Sequence, residues 1–468
     1  SKMGGKEKMQ KKTAKSYEID MCNGPIFGKL VLFAVPLILS GLLQLLFNAA
    51  DIVVVGRFAG KESMAAVGST TSLINLMVNL FIGLSVGANV LAGRYYGAKK
   101  FEDLQETVHT SVILAIGGGL LLIFAGETFA SPLLTMMGTP DDVKPLSDLY
   151  LQIYFLGMPG TLLYNFGSAI LRAAGDTRRP LYFLLTAGVV NAVLNLIFVI
   201  GFQMGVAGVA TATVISQYIS AGLIVQCLVR SEAPYRLRLR ELRLVPEKLF
   251  SIIKIGFPAG MQGAIFSISN VLIQSSVNSF GSVAMAGSTA SANIEGFVYT
   301  SMNAIYQTAL SFTSQNFGAG KYNRMTKILC YCLGIVVFVG IVMGDGAVFF
   351  GRQLLEIYSS DQDVIGYGVA RLRIICGTYF LCGIMDTMVG ALRGIGYSVI
   401  PMFVSLTGAC LFRVIWIYTV FAGHRTLGTL YLSYPVSWII TFSAHVICYL
   451  LIRRSMAKKR TESEQNRQ

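Results

Sequence analysis

The chain has 468 residues, of which 54% are hydrophobic and only 13% charged, with a formal net charge of +14. Soluble proteins carry roughly 25% charged residues, so this composition excludes a disordered chain, a collagen-like chain and a disulfide scaffold, and leaves a polytopic membrane protein. The positive charge raises the question of nucleic acid, but the charges fall between apolar runs, and no nucleic-acid partner is expected.

In chain order, a basic lead (1–29) comes first, followed by apolar runs near 30–56, 64–92, 108–130, 149–171, 180–201 and 205–229. A polar linker over 230–247 holds Arg236, Arg238, Arg240 and Arg243, and six more runs follow near 248–278, 283–313, 326–350, 367–391, 399–421 and 430–452. A helix crossing the hydrocarbon core needs about 20 apolar residues. Backbone polar groups in lipid must be satisfied within the segment, so each run reads as a helix. The predicted fold class is an all-α polytopic membrane protein, with twelve transmembrane helices in two six-helix pseudo-symmetric bundles around a central cleft. Its parts are a cytoplasmic N-terminal segment (1–29), an N-lobe (30–229), a cytoplasmic linker (230–247), a C-lobe (248–453) and a cytoplasmic tail (454–468), disordered from Lys458.

Lys and Arg set the orientation. With the N-terminus inside, the cytoplasmic side collects the lead, then Arg94, Lys99 and Lys100, then Arg172, Arg178 and Arg179, the linker, Lys321 to Lys327, Arg393 and the tail. That is about 30 basic residues inside against about 7 outside. The expectation is a multi-pass protein of the cell inner (plasma) membrane with both termini cytoplasmic, its only standing partners the lipid bilayer and small-molecule substrates, acting as a monomer. The eight cysteines lie almost wholly in apolar runs without CxxC spacing and read as buried hydrophobes.

The two halves match when shifted by 221 residues. Leu171-Arg172-Ala173-Ala174-Gly175 meets Leu392-Arg393-Gly394-Ile395-Gly396, Pro180 meets Pro401, and Tyr96-Gly97-Ala98-Lys99-Lys100 meets Phe317-Gly318-Ala319-Gly320-Lys321. Near the same shift Pro36 meets Pro258. Each repeat holds an even number of spans, so both start on the same side and are related by an axis along the membrane normal, one of the two transporter designs.

These residues resemble the multidrug and toxic compound extrusion (MATE) family over about 25 to 455. The likeness rests on Pro36 with Asn48-Ala49-Ala50-Asp51 and Gly56, on Gly93-Arg94-Tyr95-Tyr96-Gly97-Ala98, and on Leu171 to Thr177 with Pro180. Asn191-Ala192-Val193-Leu194-Asn195 and Gln315-Asn316-Phe317-Gly318-Ala319-Gly320-Lys321 complete it. The resemblance implies secondary active efflux of organic, often cationic or amphipathic compounds by antiport against protons or sodium. It implies no enzyme activity and no cofactor beyond the coupling ion, H+ or Na+. The rivals are a lipid-linked saccharide flippase of the same superfamily and a non-transporting membrane receptor. A membrane-embedded enzyme would need a motif such as HExxH, which the sequence lacks.

Ionisable groups inside spans cost roughly 2.5–3.5 kcal/mol on insertion scales and are therefore candidates. Asp51 on the first span is foremost: it either exchanges a proton or, staying charged with amide oxygens about it, holds Na+ or a cationic substrate. No other metal is expected. Asn191 and Asn195, one turn apart, share a face of the fifth span. In the family the position of Asn195 is frequently an aspartate, so a two-carboxylate relay does not carry over. Thr213 joins these as a coupling-ion candidate. The substrate-binding candidates are Gln44, Asn48 and Thr211 in the first half and Asn270, Gln274, Glu295, Asp386 and Arg413 in the second. Arg413 keeps its charge and needs a partner, with Glu295 the first choice and Asp386 the second. Pro36, lacking an amide proton, is expected to let the first helix bend. His445 reads as a packed hydrogen-bonder.

Overall fold

The computed structural model describes residues 17–467. Every apolar run lies on a helix: α1 (Ile26–Phe58), α2 (Lys61–Gly97), α3 (Phe101–Met136), α4 (Lys144–Phe155 continued by Met158–Ala173), α5 (Arg178–Gly201) and α6 (Val206–Arg230). After the linker come α7 (Pro246–Asn278), α8 (Ser282–Gly318), α9 (Tyr322–Phe349), α10 (Gln362–Ile395), α11 (Val399–Phe421) and α12 (Leu427–Gln465). Ten of them, among the described residues, are long and apolar enough to cross a bilayer. The other two have local causes. In α4 the helix breaks between Phe155 and Met158, just before Pro159, whose ring cannot continue the hydrogen-bond ladder. The 37-residue α8 carries many Ser, Thr and Asn residues among its apolar ones.

Contacts divide the chain into two compact units, one of residues up to Gly263 with Ser314–Tyr322, the other of Ala264–Thr313 and Asn323 onward. The division falls inside α7, and the linker lies wholly in the first unit. That linker is not merely polar. Tyr235 and Leu237 are buried beside Leu104, Val108 and Ile170, the Arg238 amide donates to His109 Nε2 (3.2 Å) and the Val245 amide to Thr110 Oγ1 (3.2 Å). The tail departs from expectation: α12 stays helical through Gln465, with Arg460 and Glu464 paired one turn apart at 3.2 Å.

The repeat is present in the backbone as well as in the letters. Left-handed φ angles recur at Gly60 (94°) and Gly281 (104°), at Lys99 (56°) and Gly320 (74°), and at Gly175 (99°) and Gly396 (112°), each pair 221 residues apart. Lys99 is the notable member, since a side chain there carries the steric cost that Gly320 avoids. The same shift brings the π-helical turn Leu196–Gly201 onto Ile417–Phe421.

In the first unit, Gly83 and Gly87 of α2 face Gly256 and Gly260 of α7 so closely that a Cβ on any of the four would overlap backbone. A larger core of Leu134, Leu151, Phe155, Met158, Leu162 and Phe166 fills the space between α3 and α4.

Candidate functional site

Asp51 lies half-buried on α1 and faces α5. Asn191 Nδ2 donates to both of its carboxylate oxygens, at 3.1 and 3.4 Å, and Asn195 Nδ2 donates to Oδ1. The spacing of four residues places both amides on one face of α5, so one carboxylate receives both. Asn195 is the last residue before the helix widens into its π turn. Both amide oxygens, Asn191 Oδ1 and Asn195 Oδ1, are buried without a hydrogen-bond partner. No ion pair reaches Asp51 among the described residues. Tyr150 and Tyr154 of α4 lie within electrostatic reach of it and stack on one another, centroids 5.7 Å apart. They are additions to the candidates, and their one-turn spacing in an apolar run is the signal that would have found them.

The site is therefore a carboxylate held by neutral donors, with two unsatisfied oxygens beside it. Oxygen donors of this kind suit a hard cation or a proton, whereas nitrogen and sulfur donors suit softer metals. Among the described residues no group of three or more His, Cys, Asp or Glu side chains has the makings of a metal site.

The other first-half candidates stand apart. Gln44 and Asn48 share the Asp51 face of α1 but are exposed. Thr211 donates to Ala207 O (2.6 Å) and Thr213 to Val209 O (3.0 Å), each within its own helix. Pro36 sits inside α1 as expected. Ser40 Oγ donates to its carbonyl (2.9 Å), and Thr177 Oγ1 donates to Phe33 O (2.9 Å) in the turn before it.

In the second unit the expected pairing of Arg413 with Glu295 does not form. Glu295 is chelated by Arg371, Nε to Oε1 at 2.9 Å and Nη2 to Oε2 at 3.0 Å, and Arg371 Nη1 also donates to Ser288 Oγ (2.6 Å). Arg371 lies inside the apolar run 367–391, and that placement was the signal missed. Arg413 donates to Ser437 Oγ (3.1 Å) and lies 4.4 Å from the centroid of Tyr434, so an aromatic face stands in for the expected carboxylate. Asp386 is not its partner either: it lies beside Tyr299, and its Oδ2 is buried without a hydrogen bond. On α7, Asn270 is exposed and Gln274 donates to Asn278 Oδ1 (2.9 Å). His445 is buried against Ser405 Oγ (3.1 Å), a packed hydrogen-bonder.

A sequence profile of the MatE family matches residues 36–197 and again 258–419, once in each repeat. The chain is 28% identical to the probable multidrug resistance protein YoeA of Bacillus subtilis (strain 168) over 388 residues, 81% of this chain and 84% of that protein. It is 27% identical to the probable multidrug resistance protein YpnP of the same organism over 450 residues, 95% and 99% of the two chains. Among solved structures, an outward-facing multidrug resistance MATE family transporter of the MOP superfamily superposes with a TM-score of 0.85 at 22% identity, covering 94% of this chain and 98% of that one. A MOP superfamily transporter from Pyrococcus furiosus, described as having a binding pocket of reverse polarity, superposes with a TM-score of 0.86 at 22% identity over 93% and 97%. With two matched copies in sequence and a common fold along nearly its whole length, the chain belongs to the MatE family of multi-pass helical membrane transporters, which are not enzymes.

Proposed function

We propose that this protein is a secondary active exporter of organic cations or amphipathic compounds, driven by inward flow of protons or sodium, with Asp51 as the coupling group. The observation that carries this reading is the pairing of Asp51 with two amides and, among the described residues, with no cationic side chain. Ionised, the carboxylate accepts both amide N–H groups. Protonated, it becomes a donor, and Asn191 or Asn195 must turn its amide to offer the oxygen that is now orphaned. A sodium ion would be held instead by the carboxylate and those same oxygens. Either event changes what α1 shares with α5, and Pro36 weakens the α1 ladder so that the helix can follow.

Coupling requires that ion and cargo bind less well together than apart. A unit pH difference supplies about 1.4 kcal/mol per proton and 100 mV about 2.3 more. The YoeA and YpnP relatives, named for multidrug resistance, support the substrate class. The topology proposed has both termini cytoplasmic in the plasma membrane, on the distribution of Lys and Arg. The test is flux of tetraphenylphosphonium in proteoliposomes, with proton and sodium gradients imposed separately. Export driven by one of them is expected, and flux that ignores both overturns the reading.

A further inference from the structure

Residues 17–23, which end two residues short of α1, make many polar contacts with the helices around them. Tyr17 covers the Arg179 guanidinium, with its ring centroid 5.3 Å away. Glu18 accepts from Tyr96 OH (3.2 Å) at the end of α2 and from Tyr235 OH (2.6 Å) of the linker. The Ile19 amide donates to Gly175 O (3.1 Å). Met21 is fully buried, and its carbonyl accepts from Asn316 Nδ2 (2.9 Å). Cys22 Sγ lies 3.5 Å from Gln315 Oε1, while Lys321 Nζ donates to Cys22 O (2.7 Å) and Asn23 Oδ1 (2.6 Å). Burial and the Glu18 charge push the Tyr235 hydroxyl well above its ordinary range, so it stays a donor.

What the segment holds is the end of α8. There α8 crosses α2 on glycine in a self-complementary way. A Cβ at Gly97 would overlap Gln315 O, and one at Gly318 would overlap Arg94 O, each the other's counterpart at the 221-residue shift. Such a crossing brings backbones together, with the Arg94 guanidinium set over the Phe317 ring (5.0 Å to its centroid) as a side-chain contact across it. The shift places linker residues 238–245 opposite 17–24, and those are pinned to α3 by His109 and Thr110. The repeat thus offers two equivalent straps: bonds of the N-terminal one reach the end of α8, and bonds of the linker reach α3.

We propose that residues 17–23 are a releasable latch on the α2–α8 crossing, which must lift away for the cytoplasmic side to open. This rests on the exporter reading above, with the carrier opening in turn to each side of the membrane. Water can replace most of the latch's hydrogen bonds when it lifts, and Met21 is its one deeply buried apolar side chain, so release is a local opening rather than unfolding.

The test uses the native Cys22 with Gln315→Cys. In proteoliposomes, oxidation with copper–phenanthroline should slow gradient-driven tetraphenylphosphonium export roughly tenfold or more relative to the reduced protein, dithiothreitol should restore it, and Cys22→Ser/Gln315→Cys should be indifferent to oxidant. Undiminished export by the cross-linked protein overturns the latch. A second measurement is independent of transport, and of whether the cysteine variant folds. Alkylation of Cys22 by N-ethylmaleimide, read by peptide mass spectrometry, should be about tenfold faster in Glu18→Ala than in the unaltered protein. Equal rates overturn the latch even where no export is seen, whereas absent export with faster alkylation counts only against the exporter reading.

Discussion

Asp51 and Glu295 are both carboxylates within spans, one in each unit, and their surroundings differ in one respect. Asp51 is held by two neutral amides, Glu295 by a guanidinium that grips both of its oxygens. A guanidinium keeps its charge at every accessible pH, so Arg371 grips Glu295 with a standing positive charge. An amide presents a donor or an acceptor as the carboxyl requires. A carboxylate is thus braced by a charge in one unit and held by neutral amides in the other. What decides between them is a partner contributed by a different helix.

The largest effect should come from breaking the brace. Glu295→Gln leaves Arg371 buried and uncompensated, which typically costs about 3–5 kcal/mol. Thermal unfolding in detergent should show it as a clear fall in Tm, and Glu295→Leu with Arg371→Met should recover most of the loss. Full stability in Glu295→Gln together with lost transport would reverse the assignment and make Glu295 the working acid.

Asp51→Asn should do the opposite. The amide at 51 still shares hydrogen bonds with Asn191 and Asn195, so Tm should hold, while gradient-driven export falls by about a hundredfold, the upper range of a site-to-site coupling energy. Export of tetraphenylphosphonium in vesicles is the measurement, and a rate equal to that of the unaltered protein would remove Asp51 from the mechanism.

A third comparison lies in the self-complementary crossing. Gly97→Ala and Gly318→Ala each place a methyl group on the carbonyl that faces it. Overpacking of this kind costs about 1–3 kcal/mol. The two substitutions should lower Tm by similar amounts, because each is the image of the other. A large inequality would show that the latch on one side, rather than the glycines, carries the crossing.

Much of the architecture is legible before any coordinates. Hydropathy placed all twelve helical runs, since the apolar demand of a bilayer is a property of composition and length. The shift of 221 residues anticipated the backbone repeat because glycines needed at left-handed turns leave their letters behind, though Lys99 shows that the conformation can persist without the glycine. The meeting of Asp51 with Asn191 and Asn195 was within reach because all three fall in apolar runs where polar residues are few. The pairing of Glu295 was not. Choosing between Arg371 and Arg413 depends on helix rotation and inter-helix distance, which no periodicity within one helix encodes. The break in α4 was signalled by Pro159, but a proline reports a weakened ladder and not whether the helix bends or parts. The strap at 17–23 went unread for a further reason: several of its bonds use backbone groups, the Ile19 amide and the Met21 and Cys22 carbonyls, which every sequence possesses.

The smallest effect tests where the Asp51 site ends. Thr213 gives its hydroxyl proton to Val209 O within its own helix, which leaves only its lone pairs to offer any neighbour. Thr213→Val keeps the shape and removes those lone pairs. Hydrogen bonds of this class inside membrane proteins average about 0.6 kcal/mol, so export driven by either gradient should change by no more than about threefold. If sodium-driven export alone collapses while Tm is unmoved, the hydroxyl oxygen is a ligand of the ion, and the site extends from α1 and α5 onto α6. If neither gradient distinguishes the variant, the coupling group consists of a carboxylate and two amides, and a shell that small favours the proton over a metal ion that would need more oxygens around it.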